Sequence, residues 1–277
     1  MPYLVTVDYY TIDQVAKSSG CISSNLTLIS LKRDYNYAMT ELLYQTDAYL
    51  QEFEATVIAV DPANRTVILD RSAFYPGGGG QPCDLGSLVV SGQTFPVEKV
   101  KKQGDEVLHV LGGSEALPAV NSVSRGTLDW ARRYKLMRTH TALHILCGTV
   151  FRDYGAQVTG GDMEPLKGRL DFEFETMRAE LVRDIEAAVN HEVRQGRQIR
   201  VRILPRDEAF QIPDLIRTKI NLLPDGIQQV RTLEIVGLDL QADGGTHVAN
   251  TSEVGKVRVA DYRSKGAINK RIYIEIE

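Results

Sequence analysis

An α+β domain, with helices on one face of an antiparallel sheet and a small β-barrel preceding it, is the fold this 277-residue sequence predicts. Three observations predict it. Between Glu52 and Leu111, short β-branched runs alternate with turn residues, the spacing of a small barrel. After Trp130, two stretches place apolar residues at three- and four-residue steps, the period of a helix. Short alternating segments then recur as far as Ile276, and strands and helices in that order pack as a helix layer on a sheet.

Residues 1–38 carry no clear period, and Lys17 to Asn25 reads as loop. They form an N-terminal extension of uncertain status, with Met39, where regular patterning begins, as an alternative start. Residues 39–127 make the small β-barrel domain. Thr56–Val60 and Thr66–Leu69 are strands joined by Asp61-Pro62-Ala63-Asn64-Arg65, a hairpin signal. Leu88–Val90, Phe95–Val97 and Val107–Leu111 follow. Residues 112–127, richer in Gly, Ser and Pro, read as a connection to the next domain. Residues 128–277 make the α+β domain. Its first helix runs from Trp130 to about Tyr154, with Leu136, His140, Leu143, His144 and Cys147 on helical spacing. Arg169–Phe174 alternates as a strand. Met177, Leu181, Ile185, Val189 and Val193 stripe a second helix that Gly196 ends. Ile199–Ile203, Val230–Val236, Lys256–Val259 and Ile272–Ile276 are further strands.

Lys and Arg number 32 against 36 Asp and Glu, a net charge of −4. That excludes a uniformly basic nucleic-acid binder but leaves room for local basic faces. Three are visible: Lys99-Val100-Lys101-Lys102, Arg132-Arg133-Tyr134-Lys135, and Arg263 to Arg271. Three scattered cysteines, Cys21, Cys83 and Cys147, make no disulfide framework and suggest a reducing compartment. No run of 18 apolar residues exists, so no membrane helix is expected, and the N-terminus lacks a secretory signal. The expected location is cytoplasmic, with no membrane and no obligate protein partner.

The strongest chemical feature is Arg138-Thr139-His140-Thr141-Ala142-Leu143-His144. Histidines four apart on a helix lie on one face, about 6 Å apart, so their rings can converge on one metal. A protease zinc helix needs Glu directly after the first His, and Thr141 stands there instead. Asp243-Gly244-Gly245-Thr246-His247 offers a carboxylate and a third imidazole around two glycines that permit a tight turn. His140, His144, His247 and Asp243 make a plausible zinc sphere; three imidazoles with Asp243 behind them is equally consistent. Tyr75-Pro76-Gly77-Gly78-Gly79-Gly80-Gln81-Pro82 exposes backbone N–H groups and lets a phosphate or sugar approach closely. It lacks the Gly-Lys-Ser/Thr ending of a nucleotide P-loop.

Four blocks in one order resemble the alanyl-tRNA editing family, which includes free-standing AlaX proteins and the editing domain of alanyl-tRNA synthetase. They are Leu69 to Pro82, Met137 to His144, Gln157-Val158-Thr159-Gly160-Gly161, and Gly244 to Thr251. The resemblance covers about residues 39–277, carries no part of residues 1–38, and is strongest to the medium-length AlaX class. It implies that residues 128–277 are a zinc-dependent editing domain like the second additional domain of threonyl- and alanyl-tRNA synthetases. The implied activity is a trans-editing hydrolase, needing no ATP, that cuts the ester of serine or glycine wrongly joined to tRNA(Ala). The implied partner is the acceptor end of that mischarged tRNA. By position, His140, His144 and His247 would be the catalytic zinc ligands. Thr159 would lie at the amino-acid pocket, with Asn250 a weaker second, and Gly77, Gly78, Gly79 and Gly80 would support the tRNA end. Many family members carry Cys where Asp243 stands, so the fourth ligand departs from the pattern.

Two other readings share these residues. One is a tRNA acceptor-end binding module without hydrolysis; the other is a zinc hydrolase of some other small ester. Metal content separates the first, and salt-dependent tRNA binding the second.

Overall fold

Alternation builds the first half of the molecule. Phe53, Ala55 and Val57 point inward along one strand while Glu52, Glu54 and Thr56 face out or half out, and neighbouring strands repeat the pattern. The computed structural model describes residues 39–216, 223 and 226–277, and all of them belong to one compact unit. The reading of residues 1–38 falls outside the described residues. The strands are β1 (Glu41–Leu42), β2 (Glu52–Asp61), β3 (Thr66–Leu69), β4 (Arg71–Ser72), β5 (Gly86–Val90), β6 (Gln93–Gln103), β7 (Glu106–Leu111) and β8 (Val123–Leu128). Six of them close a barrel in the order β2-β3-β7-β6-β5-β8, with β8 pairing back on β2. Closure removes the sheet edges and leaves one apolar interior, where Phe53, Leu69, Phe74, Leu88 and Phe95 meet.

Strand β8 is a departure from the sequence reading, which treats 112–127 as a connection. Its inward positions are Ser124, Gly126 and Leu128, and with only the last of them apolar and bulky the alternation that marks a strand is lost. Gly126 lies under the Phe53 ring, with no room for a Cβ. The wall is thin there because a large aromatic occupies the interior beside it.

The second half comprises α1 (Trp130–Tyr154), β9 (Val158–Glu164), β10 (Lys167–Glu173), α2 (Ala179–Arg194), β11 (Ile199–Pro205), α3 (Arg206–Ala209), β12 (Gln229–Ile235), β13 (Asp239–Ala242), β14 (Val257–Ser264) and β15 (Asn269–Ile276). One antiparallel sheet runs β14-β15-β10-β9 and a smaller one runs β11-β12-β13. Helix α1 packs on β9 and β10, and α2 packs on α1 and β14. Asp129 caps α1 by accepting from the Arg132 N–H at 3.0 Å, and Gly155, at φ 66°, ends it. From Thr139 to Val150 every residue of α1 is buried, polar ones included. In α2 only the stripe through Val182, Ile185, Val189 and Val193 is covered, together with Glu192.

A buried guanidinium joins the two halves. Arg133, on the first turn of α1, donates through Nε to both carboxylate oxygens of Asp84 (3.0 and 2.9 Å), and its Nη2 pairs with the same group. It also donates to the carbonyls of Ala48 (2.9 Å) and Ala73 (2.6 Å). Removing one partner from so dry a pair costs about 3–5 kcal/mol, because the other charge is stranded. Asp84 in turn accepts from the Tyr75 N–H at 2.6 Å, so the glycine-rich loop springs from a base pinned to α1.

Candidate metal centre

Helix α1 brings His140 and His144 one turn apart onto its face toward the loop that follows β13. That loop carries Asp243 and His247. The ring centroids lie 4.1 Å apart for His140 and His247, 4.9 Å for His140 and His144, and 4.8 Å for His144 and His247. One ligand atom from each of the three imidazoles and from Asp243 falls within 4.8 Å of all the others. The three rings are buried and Asp243 nearly so. Gly245 owes its place to close approach rather than to a tight turn. Neither Gly244 nor Gly245 has positive φ, but a Cβ on Gly245 would run into the His140 ring and the Gln81 carboxamide.

Hydrogen bonds orient these groups. Gln81, at the end of the glycine-rich loop, accepts through Oε1 from the Thr246 N–H at 3.0 Å and donates through Nε2 to Thr246 Oγ1 at 2.8 Å. Those two bonds fix which end of the carboxamide is oxygen. The same Oε1 lies 3.0 Å from His140 Nδ1, so Nδ1 carries the proton and donates. His140 Nε2 therefore presents a lone pair, 3.5 Å from Asp243 Oδ1. His144 Nε2 lies 3.8 Å from the same oxygen. Asp243 Oδ2 is engaged elsewhere: Gly245 N–H donates at 2.8 Å, Arg231 Nη1 at 3.3 Å, and His247 Nε2 lies 3.0 Å away. Arg231 is itself held by the carbonyls of Gln45 (3.0 Å) and Asp243 (2.9 Å). On its far side His247 Nδ1 meets Thr141 Oγ1 at 3.2 Å.

Burial, then the neighbouring His247, keep His140 well below the usual imidazole range, so it is neutral at pH 7. Burial likewise pushes His247 down to about 4, against the pull of Asp243. Burial opposes ionisation of Asp243, yet its carboxyl is held well below the ordinary range, with His247 hydrogen-bonded to it at 3.0 Å. A neutral His140 thus aims a lone pair at a carboxylate oxygen. Two acceptors facing each other repel; a divalent cation between them turns that repulsion into coordination. Nitrogen and carboxylate donors in this number suit such an ion, and the hydrogen bond from the outer ring nitrogen of His140 is the support ligating histidines ordinarily have.

His140, His144 and Asp243 line a cavity of about 1290 Å³, together with Thr159, Gly79 and Gly80. Thr159, on β9, donates its hydroxyl to Asn269 Oδ1 at 3.1 Å. Gly77 and Gly78 line a different cleft, of about 530 Å³, on the other side of the loop. Asn250 is not in the cavity wall. Its side chain accepts from Ser252 and donates to the Gly196 carbonyl, capping the turn at Thr251–Glu253. Gln81 and Arg231 escape the sequence reading: Gln81 sits inside a block already noted for its glycines, and Arg231 is a single cation in a strand.

Residues 230–273 match the family model of the threonyl and alanyl tRNA synthetase second additional domain, and residues 15–132 match that of class II (A) tRNA synthetases. The second match begins at Val15, so residues 1–38 are not wholly without a counterpart, contrary to the sequence reading. The alanyl-tRNA editing protein AlaX-M of Saccharolobus solfataricus is 39% identical over 241 residues, covering 86% of this chain and 100% of that protein. That of Methanosarcina barkeri is 37% identical over 243 residues, 86% and 99% respectively. The alanine–tRNA ligase of Pyrococcus furiosus is 35% identical over 223 residues, 79% of this chain but 24% of the ligase. With relatives matched along their whole length and an imidazole–carboxylate cluster fit for a divalent ion, the chain belongs to the AlaX-M family of alanyl-tRNA editing proteins.

Proposed function

We propose that the protein is a trans-editing hydrolase that releases serine or glycine from wrongly charged tRNA(Ala), with a zinc ion held by His140, His144, His247 and Asp243. The observation that carries this reading is the meeting of those four side chains, three of which (His140, His144 and Asp243) line a cavity large enough for an aminoacylated nucleotide. Zinc, when bound, supplies Lewis acidity toward an ester carbonyl and toward water. An aminoacyl ester is already activated, so no ATP is required.

The protein's own groups do the remaining work. Gln81 keeps the His140 proton on Nδ1 and its lone pair inward. Arg231 and the Gly245 N–H hold Asp243 Oδ2, leaving Oδ1 toward His140 and His144. Asp243 is then a direct ligand through Oδ1 in this reading. Leu143, Met163 and Leu170 give the cavity an apolar wall that limits water. Gly79 and Gly80 let a ribose come close. Thr159 has already donated its proton to Asn269, so its oxygen is free to accept from the hydroxyl of a seryl ester. Alanine, one hydroxyl short, cannot be rejected by size in a site that admits serine; it loses by forgoing that bond, a difference of about 1–3 kcal/mol. Asn250 has no part in the pocket here.

The test is hydrolysis of seryl-, glycyl- and alanyl-tRNA(Ala) by the zinc-loaded and chelator-treated protein. Expected are zinc-dependent release of serine or glycine, sparing of alanine, and about a tenfold loss of serine-over-alanine preference in Thr159→Val at unchanged zinc content. Zinc-loaded protein that binds tRNA but cleaves neither wrong ester would make it a binding module. Turnover of small esters with no tRNA affinity would place it in another hydrolase class.

A further inference from the structure

Several cations of this molecule are paired. At the β14–β15 edge, Lys256 pairs with Glu277, Arg258 with Glu275, Arg263 with Asp261, and Arg271 with Asp171. On the barrel, Arg71 pairs with Glu41 and Arg125 with Glu52. Lys99, Lys101 and Lys102 are exposed and form no ion pair among the described residues; the other such cations, Lys135, Arg178, Arg183, Arg194, Arg200 and Lys265, are scattered, whereas these three fall within four positions of one strand. They sit on β6. Lys99 and Lys101 flank the buried Val100 and so share the outer face of the barrel wall, while Lys102 lies near the rim.

These lysines form one side of the 530 Å³ cleft, and Gly77 and Gly78 lie on its other side. Lys102 lines both this cleft and the metal cavity, and the glycine turn divides the two, Gly77 and Gly78 on one side and Gly79 and Gly80 on the other. All four glycines have positive φ and none presents a side chain to a passing strand. Concentrated positive charge beside a bare backbone turn, opening into the metal cavity, is the arrangement that suits a polyanion whose end must enter it.

We infer that Lys99, Lys101 and Lys102, with the Gly77–Gly78 turn, form a track for the phosphodiester backbone of the RNA strand whose aminoacylated 3′ end enters the metal cavity over Gly79 and Gly80. This rests on the deacylase reading for the identity of the strand, and on charge and shape for the track itself. The paired cations of β14 and β15 are not part of it. Affinity then comes from a few contacts on an otherwise acidic protein, and each phosphate neutralised adds about 0.7–0.9 to the salt slope of binding.

The experiment measures binding of uncharged tRNA(Ala), and of an RNA hairpin of its acceptor stem ending in CCA, between 50 and 200 mM salt by about 30 mM steps. Compared are the wild type, the double variant Lys99→Ala/Lys101→Ala, the double variant Lys99→Arg/Lys101→Arg, and Lys256→Ala/Arg258→Ala. The alanine double variant is expected to lower the slope by about 1.4–1.8 for both RNAs, while the arginine variant and the β14 control keep it. Zinc content of each variant reports that the metal site is intact. A wild-type slope in the alanine variant, or an equal loss in the β14 control, overturns the track. Since these measurements need no hydrolysis, a reduced slope stands even if no ester is cleaved, and a failed slope leaves the deacylase reading untouched.

Discussion

Both halves of the molecule bury imidazoles, and they use them differently. In the barrel, His109 is fully enclosed; its Nε2 meets Ser72 Oγ at 2.8 Å and its Nδ1 meets the Val67 carbonyl at 3.3 Å. A carbonyl can only accept, so Nδ1 donates and Nε2 accepts from the serine. Each nitrogen has one neutral partner, and Phe74 packs on the ring. Beside α1, three imidazoles crowd one carboxylate, and at least one lone pair faces it without a proton between. Burial lowers the basicity of His109 as it lowers that of His140 and His247. A depressed pKa therefore does not distinguish a working site from a packed one. Convergence of lone pairs does.

The largest effect that can break this contrast is on metal. His140→Ala and His144→Ala should each cut bound zinc from stoichiometric to near background by elemental analysis, with deacylation falling about a thousandfold or more. His109→Gln should keep its full metal. A metal-replete His140→Ala protein would end the distinction.

Next in size is Gln81→Ala. Loss of the acceptor for His140 Nδ1 should weaken zinc binding about 10–100-fold in competition with a chromophoric chelator. Unchanged affinity would mean that the barrel does not steer the metal site.

The smallest effect is on stability. His109 is pushed down to about 4 by burial, from 6.5. Between those values the unfolded chain takes up a proton that the folded one refuses. Its contribution is thus complete above pH 6.5 and is lost as pH falls toward 4, by up to about 3 kcal/mol. Urea unfolding of metal-free protein at pH 7 and pH 4 should show that much less pH dependence in His109→Gln. Titration of the α1 cluster is common to both proteins and cancels. Equal pH dependence would mean that His109 is not held neutral.

Legibility in the sequence followed the range of the interactions. Helix α1 was readable to its ends, because Trp130 to Tyr154 keeps its spacing and Gly155 stops it. The hairpin β2–β3 was readable from its turn residues. Strands β8 and β9 were not. Gly126 makes way for Phe53, and Gly161 lies against Leu170 with Gly80 closing on its carbonyl, so both strands are built from small residues that read as loop. The histidine and aspartate cluster was visible as two local patterns, each a pair of residues four positions apart. What ties them together was invisible, since Gln81 reaches His140 and Thr246 from 59 and 165 residues away. Such a contact leaves no period and no neighbouring signal.

The guanidinium at the foot of α1 has one more consequence. Because Arg133 is neutralised and solvated wholly by barrel groups, the metal-bearing helix has no comfortable existence without the barrel beneath it. Cutting the chain between β8 and α1 would strip Arg133 of its partners Asp84, Ala48 and Ala73 and remove Gln81, the brace on the first histidine of α1. Any transplant of this site onto another scaffold must therefore carry the barrel along, as one inheritance rather than two.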